Sequence, residues 1–447
     1  MAQAIAVWFK LKAIFQAAAG WIARSASLSN IIGLSWIVIF VVIGFLIAEE
    51  VARDVVTIEP ISVPKTLSDN GYTPEVAGHR LLDAIKHYAS INRAAPLIEV
   101  LNIAPSDELP DFVIPQIGLS LNAVVSSLRS VLHYGTGRRI SGELILRDKL
   151  ALRLRVDGHE VYSSGFDAEN PDELLTSAAP AIMEKIHPYI AALALYREHP
   201  EQAVEKADDI IASSPESDPN VQLAYVLKGD YFFDRGNYAE SERFLRKAVS
   251  LNWSNPGPHN NLGRALWRQN RFDEAIAQYH RALGINPRLA VAYNNLGIAL
   301  GMKALPNGSQ ADAIAQFRRA IELDRRFALP HNNLGLAYYH QGNVVDAITE
   351  YRRAIALDPK IALPHNNLGM ALYREGKAEE AIAEFHRAIE VDPKNATTHN
   401  DLGLALASEG KIEDAIAEYR RAIEIAPNYK GAKENLEKVL QAKSAAK

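Results

Sequence analysis

The four residues Asn-Asn-Leu-Gly begin at Asn260, Asn294, Asn332 and Asn366, and Asn400 opens the variant Asn-Asp-Leu-Gly. Successive offsets are 34, 38, 34 and 34 residues. Self-similarity at a fixed period of this length signals a stack of small units, none of which can bury its apolar face alone. A stack also suits 447 residues, too many for one ordinary core. Hydrophobic and charged fractions of 48% and 23% are those of a folded protein. The net charge of −5, with mixed signs, gives no support to nucleic-acid binding. With no cysteine, the chain has no disulfide, zinc-thiolate site or cysteine nucleophile.

The pattern resembles the tetratricopeptide repeat, a pair of antiparallel helices A and B. Repeats are read at 222–255, 256–289, 290–327, 328–361, 362–395 and 396–429, with a degenerate one at 184–221 and a capping helix and tail at 430–447. In the fifth repeat Leu368, Gly369, Leu372, Ala381, Phe385 and Ala388 are the small and bulky residues that let two helices pack closely. Pro393 ends the second helix because it has no amide hydrogen to donate. Pro258, Pro330 and Pro364 sit in first turns, where that donor is not needed. Lys430 to Lys443 is expected to bury Leu436, Val439 and Leu440 and to cap the open end.

The resemblance implies a superhelix whose groove is lined by A helices, with the second, fifth, sixth, ninth, twelfth and thirteenth repeat positions facing it. The fifth positions are Asn260, Asn294, Asn332, Asn366 and Asn400; the sixth are Asn261, Asn295, Asn333, Asn367 and Asp401. A primary amide both donates and accepts, so it can pair with the backbone of an extended peptide whatever its side chains. The paired asparagines resemble the repeat groove of O-linked N-acetylglucosamine transferase. Trp267, Arg268, Tyr339, Tyr373 and Arg374 are candidate anchors for the peptide's side chains. His259, His331, His365 and His399 recur at the fourth position. Neighbouring repeats hold equivalent residues about 10 Å apart, too far for one metal, so packing is expected of them. No cofactor is expected.

The amino-terminal region reads differently. Residues 31–48, IIGLSWIVIFVVIGFLIA, carry no charge, and as a helix of about 1.5 Å per residue they would reach roughly 27 Å, near the thickness of a bilayer core. Lys10, Lys12 and Arg24 precede this segment; Glu49, Glu50, Asp54 and Glu59 follow it. That asymmetry predicts a single-pass inner-membrane protein with a cytoplasmic amphipathic leader at 1–30 and the bulk of the chain in the periplasm. Residues 51–170 are expected to form a small α/β domain. The expected elements are a strand at 55–58, helices at 72–93 and 119–132, and strands at 140–146, 150–156 and 161–166. This order, with the segment Arg138 to Leu146, resembles the amino-terminal domain of TolB-type proteins.

The fold class is therefore mainly α: an α-solenoid of helix pairs preceded by a transmembrane helix and a small α/β domain. The expected function is a membrane-anchored scaffold, not an enzyme. Its partners would be proteins or peptides, with the lipid bilayer contacted through 31–48. The alternative is a glycosyltransferase-related or other enzyme with activity in or with residues 51–170. Only 18 residues follow the last repeat, which leaves no room here for that family's catalytic region.

Overall fold

The computed structural model describes residues 55–91, 102–105, 113–114, 119–120, 138–304 and 310–445. Two compact units are present, Met1–Ser213 and Ser214–Lys447.

The first unit contains strands β1 (Val55–Ile58), β2 (Asn102–Pro105), β3 (Val113–Ile114), β4 (Leu119–Ser120), β5 (Arg139–Leu146), β6 (Leu150–Val156) and β7 (His159–Ser163). Its helices are α1 (Lys65–Ser68), α2 (Pro74–Ile91), α3 (Pro171–Ile186), α4 (Pro188–Leu195) and α5 (Pro200–Ser213). One sheet runs β2-β1-β5-β6-β7, with β1 parallel to β2 and β5 and the last three strands an antiparallel meander. Leu150, Leu152, Leu154 and Val156 are buried as their alternation demands. Arg153 and Arg155 are not simply solvated. Both reach Glu143, at 3.4 and 3.1 Å, and Arg153 also meets Glu160 at 3.2 Å.

Two readings of this region are corrected. The helix expected at 119–132 begins on a strand instead, since Leu119 and Ser120 pair with Ile114 and Val113; the rest of that segment lies outside the described residues. Single-pass placement in an inner membrane is also overturned, for no helix among the described residues is long and apolar enough to cross a membrane. The longest described helix, α2, carries Glu75, Arg80, Asp83 and Lys86 within its 18 residues. The segment 31–48 and the leader 1–30 lie outside the described residues.

The second unit is an array of helix pairs. The A helices are α6 (Pro219–Asp234), α8 (Pro256–Arg268), α10 (Ala290–Ala304), α12 (Ala328–His340), α14 (Ala362–Arg374) and α16 (Ala396–Ser408). The B helices are α7 (Tyr238–Leu251), α9 (Phe272–Ile285), α11 (Ala311–Leu323), α13 (Val344–Leu357), α15 (Ala378–Val391) and α17 (Ile412–Ile425), and α18 (Lys430–Ala445) closes the array. The prolines predicted for first turns lie in α8, α12 and α14, and α15 stops two residues before Pro393.

Two glycine positions set the pair geometry. A Cβ on Gly369 would stand 2.6 Å from Phe385, and one on Gly263 would stand 2.5 Å from Tyr279. The A helix can thus lie against an aromatic ring of its own B helix only without a side chain there. At the turn between A and B, Gly236, Gly342, Gly376 and Gly410 have φ of +72° to +82°. Asn270 holds the same place in the second repeat at φ +61°, the left-handed region that asparagine tolerates best after glycine.

Each A helix also touches the A helix of the next repeat, so these helices make one continuous wall. Leu262, Ala265, Leu296, Leu368, Ala371 and Leu402 lie in the core behind it. The closing helix buries less than expected: Leu440 is 41% exposed, and Ala432 is its fully buried residue.

Candidate functional site

The A-helix wall carries two rows of amides, and the rows do different work. The fifth-position residues Asn260, Asn294, Asn332, Asn366 and Asn400 are only 0–8% exposed. Those at the sixth position, Asn261, Asn295, Asn333 and Asn367, are half-buried, while Asp401 is buried.

The rows are stitched across repeats. Asn295 Nδ2 donates to Asn260 Oδ1 at 3.0 Å, Asn333 to Asn294 at 2.8 Å, Asn367 to Asn332 at 2.9 Å, and Asn435 of the closing helix to Asn400 at 2.9 Å. Within a repeat the fifth-position Nδ2 turns to the sixth-position oxygen: Asn260 to Asn261 at 3.1 Å, Asn294 to Asn295 at 3.4 Å and Asn332 to Asn333 at 3.2 Å. The result is a ladder of side-chain hydrogen bonds joining neighbouring repeats. The fifth-position amides are therefore sequestered within the array, where a peptide backbone does not reach them without breaking the ladder.

The sixth-position amides keep some capacity. An amide has two N–H groups and an oxygen with two lone pairs. In Asn295, Asn333 and Asn367 the ladder uses one N–H, and in Asn295 and Asn333 it also uses one lone pair. Each half-buried residue thus retains a donor and an acceptor.

At the amino end, the fifth and sixth positions of the first repeat are Val226 and Leu227, and the ladder ends on a carboxylate. Asn261 Nδ2 lies 3.1 and 3.2 Å from the two oxygens of Asp230. Loss of water around Asp230 pushes its carboxyl up to about 6, against the pull of Arg264 and with a further push from Asp234. Nothing in the repeat consensus marks Asp230; the signal was the missing asparagine pair in its own repeat. A recess of about 70 Å³ is lined by Phe233, Arg264, Trp267, Tyr279, Asn295 and Ile298.

The expected anchors fall into two groups. Trp267 lines that recess, and its Nε1 is buried with no hydrogen-bond partner. Arg268 instead turns to the first repeat, donating to the Tyr238 hydroxyl at 2.9 Å. Farther along, the Arg374 guanidinium lies 5.0 Å from the centre of the Tyr339 ring, so these two bridge neighbouring repeats. Tyr373 is half-buried against the core. One set of residues was missed in the sequence: Val291, Met302, Leu329, Leu336 and Leu363 are apolar side chains 37–47% exposed on three successive A helices, α10, α12 and α14. They occupy second, ninth and thirteenth positions, where the periodic apolar core residues drew attention away from them.

The fourth-position histidines face inward. His331, His365 and His399 place Nδ1 at 2.7, 2.8 and 2.6 Å from Glu350, Glu384 and Glu418 on their own B helices. In the second repeat His259 meets Gln278 at 2.8 Å instead. These contacts tie A to B.

Comparison with known proteins agrees with this geometry. The tetratricopeptide repeat matches residues 190–256 and 366–430, and the TPR repeat matches 264–303, 307–342 and 337–376. The array is built of tetratricopeptide repeats, a scaffold suited to protein binding. The peroxisomal targeting signal receptor of Kluyveromyces lactis is 32% identical over 98 residues, 22% of this chain, and that of Eremothecium gossypii is 34% identical over 85 residues, 19% of this chain. The chain spans 17% and 14% of the length of these relatives. The crystal structure of the APC/C hetero-tetramer Cut9-Hcn1 is similar in fold, with a TM-score of 0.51 at 18% identity over 59% of this chain and 52% of that one.

Proposed function

We propose that the A-helix wall of repeats two to five binds an extended segment of a partner protein. Asn261, Asn295, Asn333 and Asn367 contact the segment's backbone, and Val291, Leu329, Leu336 and Leu363 receive its apolar side chains. The observation that carries this reading is the unused hydrogen-bonding capacity of half-buried amides in the sixth-position row.

The magnitudes call for both kinds of contact. Four net hydrogen bonds at about 1 kcal/mol each supply roughly 4 kcal/mol, and micromolar affinity needs about 8. The difference corresponds to burying roughly 160 Å² of apolar surface at about 25 cal/mol per Å², more once the entropy of association is included. Two or three of the exposed leucines can provide that area.

The test selects binders for the full chain from a displayed library of random peptides, then measures them against a Leu336→Glu/Leu363→Glu variant. These leucines lie outside the amide ladder, so the fold is expected to survive, as judged by far-UV circular dichroism. Selected peptides should lose at least tenfold in affinity. Unchanged affinity would move the binding site off this wall.

A further inference from the structure

Inside the amide run the ladder has one irregular junction. From the second repeat to the fifth, the sixth-position amide donates backward to a fifth-position oxygen. Between the fifth and sixth repeats the residue that should donate is Asp401, and an ionised carboxyl has no proton to give. The neighbouring amide is accordingly reversed: Asn366 Nδ2 points across the junction to Asp401 Oδ2 at 3.3 Å. Asn400 Nδ2 also donates to Asp401, at 3.2 Å to Oδ1. The cost shows at the other end of the reversed amide, where Asn366 Oδ1 is buried without a hydrogen-bond partner. Both residues are under 9% exposed.

Two defects thus meet in one place, a buried carboxylate and an orphaned buried oxygen. One proton removes both. Aspartic acid has nearly the shape of asparagine, and its O–H takes the position of the missing N–H. We propose that Asp401 is a proton-operated latch between the last two repeats. With the proton on Oδ2, the Asn366 amide makes a half-turn, Asn366 Oδ1 accepts from Asp401, and the ladder runs from the second repeat to α18 unbroken. With the proton lost to solvent, the amide reverses and the junction loosens.

The surroundings fit this assignment. Asp401 is faced by Asn366 from α14 and by Asn400 on its own helix. Its charge is felt by Tyr419 of α17 and by Tyr429 just before α18, both raised by burial and therefore neutral across the working range. Among the described residues the groups acting on its titration include no cation; burial raises it, against the two amide donors. A buried charge without a cation favours its neutral form.

Nuclear magnetic resonance tests this on the full chain. The Asp401 carboxyl carbon, assigned by its absence in Asp401→Asn, should titrate above the ordinary carboxylate range. The side-chain amide signals of Asn366 should shift with the same midpoint. A midpoint at or below the ordinary value, or an Asn366 amide insensitive to pH, overturns the latch. Asp401→Asn supplies a permanent donor. Its melting temperature should exceed that of the wild type at neutral pH, with the gap closing on acidification; a constant or reversed gap, or a variant that fails to fold, overturns the proposal as well.

Discussion

Asn367 Nδ2 donates to Asn332 Oδ1 at 2.9 Å, although the two residues are 35 positions apart. Asn332 is fully buried and passes its own N–H to Asn333 at 3.2 Å. A side chain the sequence offered as a ligand contact is thus the hinge pin between two repeats. The same role falls to Asn260, Asn294 and Asn400.

Replacing Asn332 by Ala should therefore destabilise the array. It removes the acceptor of the half-buried Asn367 donor, a loss of roughly 1 kcal/mol. Hydrogen exchange should show the effect in α12 and α14 and little in α6 or α7, because each repeat contacts only its neighbours. Asn332→Ala and Asn367→Ala together should cost less than the sum of the two, since both remove one bond.

The histidine pairs make an internal control. Glu350 is 7% exposed and accepts from both His331 and Arg353. Glu350→Gln reproduces the His259–Gln278 pairing of the second repeat and should cost less than about 1 kcal/mol, whereas Glu350→Ala strands the imidazole and should cost roughly 1–3 kcal/mol. Urea denaturation of the two variants separates these outcomes; equal losses would show that the contact is unimportant.

Asp230 makes stability depend on pH. Its folded carboxyl titrates at about 6, above the ordinary value of 3.8, because its surroundings exclude water. The folded state then binds the proton more tightly than the unfolded state, so ionisation is a penalty on folding. The penalty is full above about 6, shrinks as the pH falls and vanishes below the unfolded value. Asp230→Asn should remove this slope: the variant should gain on the wild type at pH 7 and match it near pH 4. A melting-temperature series across that range, repeated with Asp401→Asn, assigns each contribution.

Much of this was legible in the residues themselves. The 34-residue period, the first-turn prolines and Pro393 mark the repeats and where several of their helices start and stop, because helix starts and stops are local events. The meander of β5, β6 and β7 was readable from alternation for the same reason. The short β3–β4 pair was not, since strand pairing at Leu119 depends on a partner and not on spacing within the segment.

What the sequence by itself determined is the identity of the repeating unit, its helices and the rows of amides they carry. What only the tertiary structure decided is where those amides are spent. Stacking sets Asn260 beside Asn295 and Asn332 beside Asn367, and it leaves Asn366 facing a carboxylate. A hydrogen-bonding group takes the partner that packing brings within about 3 Å, and residues 35 positions apart become partners only once one repeat lies against the next.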